Sequence, residues 1–156
     1  MKFMYESIAK APAADIVIGR ISRAVRQGPT TDGIIDLAIG LECLVDAKVE
    51  IKFQFSLYHT LISADTEVER GANFDLLQNF YDIRSLTVHG GKPSKSHKKK
   101  MANVHNKWRE MLDLARQNLT YYVVFCQKND ATAWPEHLRS LSLGQTRMQL
   151  ANSSAR

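Results

Sequence analysis

Apolar residues recur every three to four positions along most of the chain, and no stretch alternates polar and apolar side chains as a strand would. Stripes of that period can bury only against one another, so the chain is restricted to helices packed on helices. The spacing predicts a first helix from about Ala13 to Gln27, with Ile16, Ile18, Ile21 and Val25 apolar, stopped by Gly28-Pro29. Thr30 or Thr31 can cap a second, to about Ala47, that buries Ile34, Leu37, Leu41 and Leu44. A third, from about Glu50 to Ser63, carries Ile51, Phe55, Tyr58 and Ile62. Thr66-Glu67-Val68-Glu69 has the form of a capping box and opens a helix toward Val88, with room for a bend between Gly71 and Asn73. Gly90-Gly91-Lys92-Pro93 is a stop signal. Beyond it, Met101, Val104, Trp108, Met111, Ala115, Leu119, Tyr122 and Cys126 predict one long helix from about Lys98 to Gln127, and a short helix is expected after Pro135. The expected fold is an all-α, up-and-down bundle of about five helices. It forms one domain over residues 11–143, with an N-terminal extension over 1–10 and a flexible C-terminal tail over 144–156.

A chain of 156 residues with 44% hydrophobic content is long enough for a real core and too apolar for disorder throughout. No apolar run reaches the roughly 18 residues of a membrane span, and Met1 to Glu6 lacks the apolar stretch of a signal peptide. Cys43 and Cys126 make neither a disulfide framework nor a metal-binding pair, so a reducing cytoplasm and no membrane partner are expected. The formal net charge is +5, and much of the excess falls at Lys92, Lys95, Lys98, Lys99 and Lys100, with His97 among them. Such a cluster is either a solvated, flexible basic loop or a surface facing phosphates, and what lies beside it decides.

Beside it lies Tyr81-Asp82-Ile83-Arg84-Ser85-Leu86-Thr87-Val88-His89-Gly90-Gly91. Arginine grips phosphate through two N–H groups and stays charged at any working pH. Histidine titrates near neutrality and can move protons. Arg84 and His89 would lie about 140° apart on a continuing helix, but the glycine stop frees His89 to turn back or outward. An arginine at this distance before a histidine is expected by chance in a chain with ten arginines. By itself the spacing leaves Arg84 equally readable as an ion-pair former and His89 as a helix-end residue favoured by the dipole.

The wider pattern is more specific. Arg84, Ser85, His89 and Gly90 match an R-S-x-x-x-H-G helix end position by position, with Glu69-Arg70 upstream and Leu41-Glu42-Cys43-Leu44 further back. From Thr31 to Phe125 the chain resembles the HEPN superfamily, and within it the Apea-like HEPN domains. That resemblance implies an α-helical bundle that dimerises and brings two Arg/His sets into one composite cleft. It further implies a metal-independent, cofactor-free endoribonuclease acting as a toxin or antiviral-defence effector, or a module that has lost catalysis and binds RNA, a nucleotide or a protein. An antitoxin or a larger defence protein would be a partner. Carried over, Arg84 would stabilise charge on the scissile phosphate and His89 would act as base or acid. Ser85 would hydrogen-bond phosphate or fix the histidine, and Lys92, Lys95, Lys98, Lys99 and Lys100 would hold the RNA backbone.

Three residues are expected to support this site. Glu42 sits among Ile39, Leu41, Leu44 and Val45, where an unpaired acid is costly, so it either pairs with Arg84 or Arg70 or points to solvent from the helix edge. Arg70 and Tyr81 share the helix of Arg84 and could line the same groove. His59, between Tyr58 and Leu61, reads as a packed or half-buried residue, and none of His59, His97, His105 and His137 has the spacing of a zinc ligand. Trp108, Tyr121 and Tyr122 fall at core positions. No glycine-rich phosphate loop, nucleophile elbow or HExxH motif occurs.

Overall fold

Short connections decide which helices pair. In the computed structural model, which describes residues 9–45, 47–145 and 147, α1 (Ala14–Gln27) and α2 (Thr31–Val45) are joined only by Gly28-Pro29-Thr30. They run antiparallel: Arg20 Nη1 donates to Asp36 at 2.5 Å, Arg23 Nε to the same oxygen at 3.3 Å, and Gly40 faces Arg20. At the turn, a Cβ on Gly33 would lie 2.0 Å from the Gly28 carbonyl oxygen, so no other residue fits there without moving the backbone. Next come α3 (Ile51–Ser63) and α4 (Glu67–Val88), a second antiparallel hairpin. Asn73 donates to Ser63 and Gln78 to Ser56 across it. The Thr66 capping box forms as expected, with Thr66 Oγ1 accepting from Glu69 N–H and the Glu69 carboxylate accepting from Thr66 N–H. Gly71 is exposed within α4, which continues unbroken past it.

The expected long helix is two. The helix α5 (Lys95–Asn106) ends at Lys107, whose φ of −103° and ψ of 18° depart from helix geometry, and α6 (Trp108–Lys128) begins immediately after it. A 3₁₀ turn (Ala131–Ala133) leads into α7 (Trp134–Ser142). The described residues therefore hold seven α-helices and no strand, an all-α bundle with more elements than periodicity alone suggests.

The helix α6 is the spine, packing against α1, α2 and α3 through Met111, Ala115, Asn118, Tyr121 and Tyr122. Trp108, Tyr121 and Tyr122 are core residues, as expected. The indole of Trp134 donates to the Leu44 carbonyl at 2.5 Å and pins α7 over α2, inside a ring cluster with Tyr122, Phe125 and His137. In α2 the expected face is buried in full. In α1 it is not: Ala14, Val17, Ile21 and Ala24 are buried, whereas Ile16, Ile18 and Val25 are exposed. Small side chains let α1 and α2 approach closely, which outweighs the larger apolar area of the isoleucines. Ile51 is likewise exposed and Tyr58 half-buried. Of the expected N-terminal extension only Ala9 and Lys10 are described, and of the tail only Gly144, Gln145 and Arg147; the remainder lies outside the described residues. Arg147 pairs with Asp65 and with the Ile62 carbonyl.

Candidate functional site

The C-terminal end of α4 is built by its glycines. The N–H of Gly91 reaches the Leu86 carbonyl at 3.0 Å and that of Gly90 reaches Thr87 at 3.3 Å, with Gly90 at φ +65°. This is the paired closure of a left-handed helix cap, and it needs a residue without a Cβ penalty at Gly90. His89 is the last residue before that reversal and is exposed, next to the negative end of the helix dipole. Neither ring nitrogen of His89 meets a protein group among the described residues.

Arg84 lies just over one turn earlier and faces α2. Its Nη2 donates to Glu42 Oε2 at 2.8 Å, and both side chains are about one-fifth exposed. Of the two alternatives for Glu42, the pairing with Arg84 is the one present. The guanidinium carbon lies 5.5 Å from the centre of the Tyr81 ring, which packs in turn on Phe55. Burial, and then the Glu42 charge, push the Tyr81 hydroxyl above its ordinary pKa and keep it a neutral donor. Two buried atoms of the pair, Arg84 Nε and Glu42 Oε1, have no protein partner among the described residues. An arrangement that leaves a buried donor and acceptor unused is expensive for stability alone.

Other expected site residues separate into those the fold brings near and those it does not. Ser85 is half-buried beside Arg84, and its hydroxyl engages no protein group among the described residues. Arg70 is exposed near the other end of α4, roughly 20 Å from Arg84 along the axis. It lines a cavity with Asp65, Leu141 and Arg147 and cannot share a groove with Arg84. The lysine cluster is not a loop. Only Lys92 precedes α5; Lys95, Lys98 and Lys99 fall on one exposed face of that helix, within about 100° of arc. Lys100 turns the other way and pairs with Asp82, which also holds Lys52 of α3 at 2.5 Å. Burial alone would raise the Asp82 carboxyl, but these two ammonium groups outweigh it and hold the pKa below the ordinary value. Lys100 thus ties α5 to α4 instead of facing outward. Sequence reasoning missed Asp82 and Lys52 altogether, because only the helix packing brings them together.

His59 is fully buried. Its Nδ1 is 2.8 Å from Asn118 Oδ1 and its Nε2 is 3.2 Å from the Leu41 carbonyl. Asn118 spends its amide hydrogens on the Leu114 and His59 carbonyls, so its oxygen faces the ring; Nδ1 donates to it over the shorter contact, and a neutral ring then has no second proton for the Leu41 carbonyl. Burial drives the His59 pKa down to about 4, so the ring is neutral and structural. Among the described residues no three His, Cys, Asp or Glu side chains gather to hold a metal ion, and no helix is long and apolar enough to cross a membrane. No protein-family model, curated protein or solved structure matches this chain, so the reading of this helix end rests on its own residues and geometry.

Proposed function

We propose that the chain is a HEPN-type endoribonuclease that cleaves RNA without a metal, acting as a toxin or antiviral-defence effector. One observation carries the reading. The R-S-x-x-x-H-G segment closes a helix so that His89 is exposed, while Arg84 is held by one edge on Glu42 and backed by Tyr81. A guanidinium fixed at Nη2 loses little freedom when its Nη1 end meets a phosphate. In a homodimer, one His89 would take the proton from the 2′-hydroxyl, whose oxygen attacks the adjacent phosphorus. The second His89 would protonate the departing 5′-oxygen, and Arg84 would stabilise the negative charge that builds on the phosphoryl oxygens. The products are a 2′,3′-cyclic phosphate and a 5′-hydroxyl. Lys92, Lys95, Lys98 and Lys99 present a basic face that suits the flanking RNA backbone.

A second reading has its own support. The Glu42 carboxylate neutralises much of the Arg84 charge, as suits a non-catalytic module that binds RNA, a nucleotide or a partner protein. The deciding experiment is cleavage of end-labelled single-stranded RNA in EDTA by the native chain, Arg84→Ala and His89→Ala, each checked for folding by circular dichroism. The nuclease reading expects cleavage with cyclic-phosphate ends that falls at least a hundredfold in both variants. RNA binding without cleavage would establish the binding module. Cleavage equal in all three proteins would remove Arg84 and His89 from the chemistry.

A further inference from the structure

A cavity of about 330 Å³ opens between the end of α4, the start of α5 and the start of α2. That volume is at the small end of ligand pockets and suits one ring system, not a long chain. Its walls are mainly apolar: Ile83 and Leu86 from α4, Pro93 from the connection, and Met101 from α5. Thr31 and Thr87 add hydroxyl groups, His97 adds an imidazole, and Lys98 supplies the cationic side. Resting on the nuclease or RNA-binding reading above, we infer that this cavity is a nucleobase subsite, seating one base of the bound RNA while Lys98 and His97 hold its phosphate.

Three features of this region converge on that ligand. The cavity shares Leu86, Thr87 and Gly91 with the helix end that carries Arg84 and His89, so it adjoins the candidate site. The occupant must be apolar over most of its surface, since the walls offer few polar groups, yet it must also carry negative charge. The charge requirement comes from α5 itself. Its first turn contains Lys95 and Lys98 and no acidic residue, which places two cations at the positive end of the helix dipole. Such a conflict is relieved by an anion. The cavity beside it specifies what else the anion must bring, and a nucleotide has both parts, a flat apolar face and a phosphate.

The ring of His97 is prepared for that contact. Ser94 Oγ accepts from the His97 backbone N–H at 3.3 Å and lies 2.7 Å from Nδ1. This contact anchors the ring at Nδ1 and leaves Nε2, which meets no protein group among the described residues, turned to a ligand.

The test is a titration of the isotope-labelled chain with adenosine and uridine 5′-monophosphates, adenosine, inorganic phosphate and decanoate. It follows the backbone amides of Thr87, Gly91 and Met101 by NMR, in the native protein, Met101→Phe and Lys98→Glu. A base subsite expects saturable shifts with at least one monophosphate, at an affinity tenfold or more above that for inorganic phosphate. Met101→Phe, which fills the cavity, and Lys98→Glu should each weaken that binding at least tenfold. Equal affinity for monophosphate and inorganic phosphate would reduce the site to surface lysines and overturn the inference. Binding of decanoate with no response to either nucleotide would overturn it as well. Nucleotide binding by a chain that cleaves no RNA would retain the subsite and sink the nuclease reading. RNA cleavage with no nucleotide shifts, unchanged in Met101→Phe, would do the reverse.

Discussion

At the scale of single residues, the pair of Glu42 and Arg84 carries the sharpest expectation. Glu42→Gln keeps the shape and an acceptor but removes the charge that holds the guanidinium. We expect a loss of about 1 to 2 kcal/mol in stability, measured by urea unfolding, because a charge-assisted bond becomes a neutral one. If the chain cleaves RNA and Glu42 positions Arg84, the same variant slows cleavage beyond what its loss of stability explains. An unaltered rate would make the pair purely structural. His59 gives a second expectation. Its folded pKa of about 4 lies below the unfolded value near 6.5, so the unfolded chain binds the extra proton between those limits. The contribution of His59 is therefore complete above about pH 6.5 and is lost as the pH falls toward 4. It amounts to on the order of 3 kcal/mol at most. Asp82, whose folded pKa is depressed, contributes stability above its unfolded pKa and loses it only at lower pH still, so the two windows are distinct. Thermal unfolding from pH 7.5 to 4.5 should show this slope in the native chain and a shallower one in His59→Gln.

At the scale of elements, two glycines mark where backbone rather than packing decides. Gly90→Ala places a Cβ at φ +65° and should cost about 1 to 2 kcal/mol. Gly33→Ala must displace the Gly28 carbonyl at the α1–α2 turn and should cost more, with both read from shifts in the unfolding midpoint. Helix existence was legible wherever a local signal ended it: Gly28-Pro29, the Thr66 box and Gly90-Gly91 all stand where the chain turns. The break at Lys107 was not, since the apolar rhythm runs through it and neither glycine nor proline announces it. The buried face of α1 differs from its hydrophobic pattern for another reason, because hydrophobic size favours Ile16 and Ile18 while close helix approach favours Ala14 and Ala24. The candidate site divides likewise. Arg84, Ser85 and His89 are contiguous and could be read from the chain. Glu42 was narrowed to a choice that packing made, and Arg70 shows that sharing a helix does not mean sharing a groove.

At the scale of the whole molecule, charge and association are what remain to be measured. With Lys92, Lys95, Lys98 and Lys99 outward, the logarithm of RNA affinity against that of salt should fall with a slope of roughly −3 if each neutralises one phosphate of a single strand. Lys98→Gln should make that slope shallower. Lys100→Gln should leave it unchanged and instead loosen α5, because its charge is spent on Asp82. A composite site further expects specific activity to decline on dilution below the dimer's dissociation constant, followed beside sedimentation of the same samples. The joint at Lys107 bears on how such a surface could change over generations. The helix α6 is locked into the core, and a residue gained or lost within it would rotate every buried side chain by about 100°. Because Lys100, Met101 and Val104 hold the second half of α5 in place, the same insertion before Lys100 re-aims Lys95, Lys98 and Lys99 while the core keeps its register. The basic face can therefore be re-aimed independently of the scaffold that carries it.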